Sequence, residues 1–384
     1  MYAVLFTDAG LSPAQISSLF AIWSVTSFAL EIPSGVWADV FSRRAMLVAA
    51  PAVTGAGFAL WTFFPGYPAF AAGFVLWGAG TAAASGTLQA LMYEELARLG
   101  AADSYAKVSG RQNAVGTTAG MIATALAAPA MAAGGYLLAG LASVAACLAA
   151  AALARTLPES RTGSFPEEED EPQEGYVAVL RSGLGEVRAS PRLRHSLILV
   201  AAVMGVSALD EYLPLLAVDA GVGTAGVPWV MLMLFATATA GGWLAGRGVR
   251  WTAHGLAAAA LLLAAGAAWR TPWALALVAV AYGVVEWATA AMEADLQDDL
   301  TDRTRATVTS MSGLGAEVFA VLSFATYALG SVWAQPWLLF TVAAGPYLLI
   351  AVAAGRVRGG RRRTGPGRAS GRPATEPGEA CPPG

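Results

Sequence analysis

Charge is absent from long stretches of this chain, and the charges that remain fall in clusters between them. Residues 112–154 carry no Asp, Glu, Lys or Arg over 43 positions, 66–92 carry none, and 220–246 carry none over 27. A bilayer core of ~30 Å is crossed by about 20 apolar residues in helical form. Lipid offers the backbone no hydrogen-bond partner, so each such run must be a helix that satisfies itself. Composition bears on the alternatives. Charged residues are 13% and hydrophobic residues 56%, with a mean hydropathy of +0.56. Soluble domains are ~25% charged, and polar side chains are too few here to cover a water-soluble body of this size. Disorder over most of the chain and a disulfide scaffold are excluded. The two cysteines, Cys147 in an apolar run and Cys381 in the polar tail, read as unpaired.

The runs predict an all-α membrane protein with eleven full spans: 17–38, 45–64, 68–92, 112–132, 134–154, 194–217, 225–246, 252–269, 272–292, 306–328 and 333–355. Alternating crossings put 22 of the 23 basic residues on one side and leave only Arg270 on the other. The positive-inside rule makes the arginine-rich side cytoplasmic. Residues 157–192, with the acidic patch Glu167 to Glu171, read as a charged cytoplasmic linker, and 356–384 as a disordered basic cytoplasmic tail over anionic lipid. Five spans precede the linker and six follow it. Residues 1–10 are half a span long, so the chain reads as a fragment of a twelfth helix plus eleven full ones. This gives an N-terminal helical bundle over 1–156 and a C-terminal six-helix bundle over 193–355. An eleven-span protein with its N-terminus outside is the alternative. Arg outnumbers Lys by 22 to one among much Ala and Gly, which suggests a GC-rich bacterium and its inner membrane.

The first full span ends in E-I-P-S-G-V-W-A-D-V-F-S-R-R, Glu31 to Arg44. Pro33 and Gly35 permit bending and close helix contact. Asp39 ends the helix, and Arg43 and Arg44 anchor a short loop. The stretch resembles the signature between the second and third helices of the major facilitator superfamily. The resemblance extends to nearly the whole chain and implies a two-bundle helical transporter fold. It also implies that Gly35, Asp39, Arg43 and Arg44 form a cytoplasmic latch. Ser42 stands where that family usually has glycine, which should alter the turn slightly. A weaker second copy, Gly242 to Gly246 followed by Arg247, has glycine in place of the acid and would be a partial secondary latch through Gly242 and Arg247. The antiporter signature of that family is not matched after Arg111, which weakens drug export without excluding it.

Carboxylates at membrane depth are costly and need a reason. Glu31, Asp210, Glu211, Glu286 and Glu317 are therefore candidates for coupling or substrate contact, with Gln89 and Tyr93 one turn apart as polar companions. The rival reading of each acid is a structural one, holding two helices together. Trp23, Trp77, Trp229, Trp287 and Tyr212 are possible cavity aromatics, and Trp269, Trp273, Trp333 and Trp337 read as interface anchors. Gly116-x-x-x-Gly120 and Gly242-x-x-x-Gly246 suit close helix contacts. His195 and His254 lack partners at metal-ligand spacing, so no metal is expected. No nucleotide or hydrolase motif appears, so neither a cofactor nor an enzymatic activity is expected. The reading is a secondary transporter working by alternating access on a gradient. Its expected partners are the bilayer, a small-molecule substrate and protons, with no nucleic acid and no obligate protein partner. Proton-coupled export of a small amphipathic or hydrophobic compound is the first expectation. Uptake of a small polar metabolite, or a non-transporting scaffold derived from a transporter, is the alternative.

Overall fold

The computed structural model describes residues 2–40, 42–159, 185, 187–298, 300 and 302–363; for 31–40, 103, 106, 249, 298, 302–307, 310 and 357–363 it describes the backbone alone. The described chain forms helices α1 Tyr2–Asp8, α2 Pro13–Val40, α3 Arg43–Phe63, α4 Tyr67–Ala84, α5 Thr87–Arg98 and α6 Tyr105–Ala154. After the linker come α7 Pro191–Ser207, α8 Leu213–Asp219, α9 Val227–Trp243, α10 Thr252–Ala268, α11 Leu275–Asp298, α12 Asp302–Gly330 and α13 Pro336–Arg363. No strand occurs among the described residues. Among them, nine helical segments are long and apolar enough to cross a membrane, and Thr252–Ala268 is a shorter apolar helix.

One of the nine, Lys107–Ala154, is 48 residues long, more than twice a bilayer crossing. It breaks at Gly135, whose φ of 58° and ψ of -150° are non-helical. That region of backbone space is open to glycine and closed to side chains. The two uncharged spans read from the sequence are thus two arms, 105–134 and 136–154, joined without a loop. Two other spans are interrupted as well. Residues 68–92 divide into α4 and α5 at Gly86, which has φ +72°. Residues 194–217 divide at a 3-10 turn over Ala208–Tyr212, followed by Pro214 at the start of α8. Proline supplies no N–H to the preceding turn.

Within the first half α3 packs on α4 and α6, and α2 on α4. Within the second, α10 packs on α11 and α13, α9 on α11, and α7 on α12. The halves are joined chiefly by α2 with α12 and α6 with α9, and also by α1 with α8 and α6 with the 3-10 turn Thr224–Gly226. Aromatic rings cement the first half around α1. Phe6 lies 4.4 Å from Phe70 and 5.4 Å from Trp61, and Phe74 stacks on Trp77 at 5.8 Å. Each such pair contributes ~0.5–1.5 kcal/mol beyond its buried area.

The close helix contacts are made by glycines other than those singled out from spacing. Gly116, Gly120, Gly242 and Gly246 face open space. A Cβ on Gly241 would sit 2.0 Å from the Gly283 carbonyl oxygen, and one on Gly57 would sit 2.8 Å from that of Gly73. Spacing alone cannot tell the packed face of a helix from the lipid face when both are apolar. Gly241→Val should therefore cost about 1–3 kcal/mol, read as a lower thermal unfolding midpoint in detergent. Gly242→Val, one residue along, should leave the midpoint nearly unchanged; equal losses would refute the assignment of the packed face.

Candidate functional site

The 3-10 turn between α7 and α8 brings Asp210 and Glu211 inward. Such a turn inside a longer helical run tightens the backbone and often marks a working site. Tyr2 on α1 donates its hydroxyl to Glu211. Asp210 lies within electrostatic reach of Glu211 and of Glu286 on α11. Tyr282 sits one turn before Glu286, and Glu293 two turns after it, all on one face of α11. Tyr347 on α13 donates to the Ser207 hydroxyl at 3.4 Å and lies within reach of Asp210 and Glu286. Three of the acids singled out from the sequence thus converge. They come from two segments about 75 residues apart and are joined by tyrosines from two more. Among the described residues, no Lys or Arg forms an ion pair with Asp210, Glu211 or Glu286.

Glu317 is elsewhere. It accepts a hydrogen bond from Ser24 of α2, across the contact between the halves. Nearby, Tyr212 donates to Ser17 at 2.6 Å, and Phe20 packs 5.2 Å from Tyr212 and 5.5 Å from Phe324. Tyr212 stacks on Tyr327 at 3.7 Å. These buried residues close one end of the boundary between the halves. At that same end the lone basic residue expected there, Arg270, is tied down. It lies 3.9 Å from Asp219, donates to Gln335 at 3.1 Å and covers the Trp337 ring at 5.4 Å. Trp269, Trp273 and Trp333 are exposed there, as anchors are.

The opposite end carries the latch segment. Glu31, Gly35 and Asp39 lie on α2 where the backbone alone is described. Ser42 caps α3, accepting from the Ala45 amide at 3.0 Å. Its hydroxyl also donates to Glu159, at the start of the linker. Glu159 further accepts from the Arg44 amide at 3.4 Å, and Arg43 pairs with Glu94 of α5. The serine in place of glycine therefore does more than reshape the turn: it fastens the end of α6 to the start of α3. Burial alone would raise the Glu159 carboxyl, but the Ser42 hydroxyl and the amides of Arg44 and Arg43 outweigh it and hold the group below the ordinary glutamate range.

The remaining candidates stand apart from the acids. Gln89 and Tyr93 are exposed on one face of α5, and Tyr93 packs 5.7 Å from Tyr105. The second-half echo borders a groove of about 470 Å³ between α9 and α11. There the backbone oxygen of Arg247, and not its guanidinium, is engaged, accepting from Trp287 at 2.9 Å. Gly242 takes no part in a helix contact. No cluster of three or more metal-ligating side chains occurs among the described residues. Tyr2, Ser207, Tyr282 and Tyr347 escaped the sequence reading, which weighed acids one at a time. The signal available was Tyr282 four positions before Glu286 in an otherwise apolar run.

Crossing helices, an interior acid cluster and a sealed boundary between halves define a polytopic α-helical membrane transport protein. The sequence matches the family model described as Major Facilitator Superfamily over residues 1–323, and the chain belongs to that family of transporters. No curated protein matches it in sequence. Among solved structures it is similar to nucleoside transporter NupG, with 13% identity, a TM-score of 0.68 and 92% of each chain covered. It is also similar to a bacterial homolog of the human lysosomal transporter Spinster, inward-facing and unoccupied, with 16% identity, a TM-score of 0.64 and 92% of each chain covered. A third is the POT family transporter PepTSo, with 13% identity, a TM-score of 0.66, and 92% of this chain and 90% of that one covered. At such identities the likeness concerns the fold.

The Glu159 clamp carries a pH signature. A carboxyl held below its unfolded value stabilises the fold above that value, and the contribution is lost as pH falls through the lowered one. As pH falls below about 5, through and beneath the ordinary glutamate range, the unfolding midpoint of the native protein should fall more steeply than that of Glu159→Gln. Parallel curves would show that the clamp adds nothing.

Proposed function

We propose that the chain is a secondary active transporter in which two bundles, 1–156 and 193–355, rock about a site between them and exchange protons for a small amphipathic or hydrophobic compound that is exported. The observation that carries this is the acid cluster of Asp210, Glu211 and Glu286 inside an otherwise apolar helical body. A carboxyl group at membrane depth is expensive unless it alternates between protonated and partnered forms, which is what coupling to a proton gradient requires. Two arrangements support the rocking. The halves meet tightly at one end, through Ser17, Phe20, Ser24, Tyr212, Glu317 and Phe324. Several of those contacts are single hydrogen bonds or ring contacts, which can break without unfolding a helix.

The arginine-rich end is taken as cytoplasmic, so the linker and the C-terminal tail lie inside the cell and the sealed end faces out. Glu317 then serves the external seal through Ser24. The Asp39 segment serves the opposite gate, and Arg43 and Arg44 fix its loop.

Glu286→Gln should abolish pH-driven flux in proteoliposomes while leaving the unfolding midpoint within about 0.5 kcal/mol of native. Undiminished pH-driven flux would overturn the coupling role. Asp39→Asn should slow turnover severalfold with normal membrane insertion, and full turnover would argue against a latch. Single cysteines placed in the 160–184 segment should react only with reagents that reach the cytosol.

A further inference from the structure

Among the described residues, no Lys or Arg side chain pairs with the acid cluster. Three carboxyl groups gather at Asp210, Glu211 and Glu286; Glu211 accepts from the Tyr2 hydroxyl and Asp210 from the Glu211 amide, and neither donor is a cation. Beside them stands Tyr282, 6% exposed. Its hydroxyl is buried without a hydrogen-bond partner and lies within electrostatic reach of Asp210 and Glu211. A buried polar atom is ordinarily satisfied, and an orphan beside a cluster of acids calls for a group that would satisfy it. A second orphan is the Trp23 indole nitrogen, also buried and unpartnered. Trp23 is 5.8 Å from Trp77, Trp77 is 5.8 Å from Tyr2, and Tyr2 bonds Glu211. An aromatic wall therefore runs from the carboxylates to α2 and α4.

We propose that this site takes an organic cation, specifically a protonated amine with an aromatic or apolar body. This rests on the transport reading above and names the substrate class for the same site. The ammonium group sits between Asp210 and Glu286 and donates one N–H to the Tyr282 oxygen. The body lies along Trp77 and Trp23, whose ring faces attract a cation's partial charge as well as covering its carbon. A neutral solute would leave the carboxyls unanswered, and an anion would be repelled. The sequence reading favoured an amphipathic or hydrophobic compound because the spans hold few fixed charges; folding collects three of them in one place. A proton and an ammonium compete for the same carboxyl oxygens, so the substrate leaves as protons arrive. The groups sharing those protons are Asp210, Glu211, Glu286 and Glu293, with the phenols of Tyr2, Tyr282 and Tyr347 around them. Glu317 faces Ser24 on the other side of α12 and takes no part.

The test is calorimetric binding to the purified full chain with three probes of one shape: phenylbutylammonium, phenylbutanol and phenylbutyrate. The ammonium should bind at least about tenfold more tightly than the alcohol, the carboxylate should not bind, and ammonium affinity should fall as pH is lowered. Asp210→Asn and Glu286→Gln should each weaken the ammonium about tenfold and leave the alcohol unchanged. Tyr282→Phe should weaken only the ammonium, by about threefold. Unfolding midpoints confirm that the isosteric variants fold. Equal binding of ammonium and alcohol, no binding of any probe, or native ammonium affinity in the Asp210→Asn Glu286→Gln double variant would overturn the proposal. Proteoliposome flux separates the two readings. Charge-selective binding without pH-driven flux keeps the cation site and defeats coupled transport, whereas pH-driven flux of neutral compounds with no charge preference does the reverse.

Discussion

A peptide group at hydrocarbon depth has no water to turn to, and each one left unpaired costs several kcal/mol. That single constraint decides most of this molecule. It makes every apolar run a helix and confines breaks to places where the freed groups find partners or a cavity. The breaks at Gly86, at the turn from Ala208 to Tyr212 and at Gly135 are therefore informative. Gly86 and Gly135 carry backbone angles that a side chain resists. The middle break is the one that turns two carboxylates into the interior. Once the helices exist, lipid no longer rewards their association through burial, so contact between them comes from fit: Gly241 on Gly283, Gly57 on Gly73, and the ring cluster around Phe6.

Much of this was legible in the order of residues. Uncharged runs marked where apolar helices lie, and arginine clusters separated two ends of the bundle. The pairing of Arg43 with Glu94 at one end and Arg270 with Asp219 at the other follows the same alternation. The family was legible from Glu31 to Arg44. What was not legible was convergence. Asp210 and Glu286 are 76 positions apart, and nothing local announces that they come within electrostatic reach of each other. Nor does composition reveal which of two adjacent glycines, Gly241 or Gly242, faces a neighbour. Tyr2 lay in a segment too short to read as a crossing, so its bond to Glu211 had no sequence signal at all.

Ser42 shows how a small departure from a family pattern can be absorbed and put to use. Glycine there would leave the first turn of α3 uncapped and Glu159 without its hydroxyl donor. The serine supplies both, and with Glu159 it links the latch loop to the first residues of the linker. The residues that follow α6 are thereby tied to the loop that anchors α2.

The bend at Gly135 turns the chain around with no intervening loop, and the other reversals at that end are nearly as short: 9–12, 64–66, 220–226, 269–271 and 331–335. The chain leaves α6 through Glu159 at the opposite end, beside Ser42 and Arg44. Among the described residues the Gly135 end therefore carries only short turns, which offer proteases, antibodies and binding proteins few handholds.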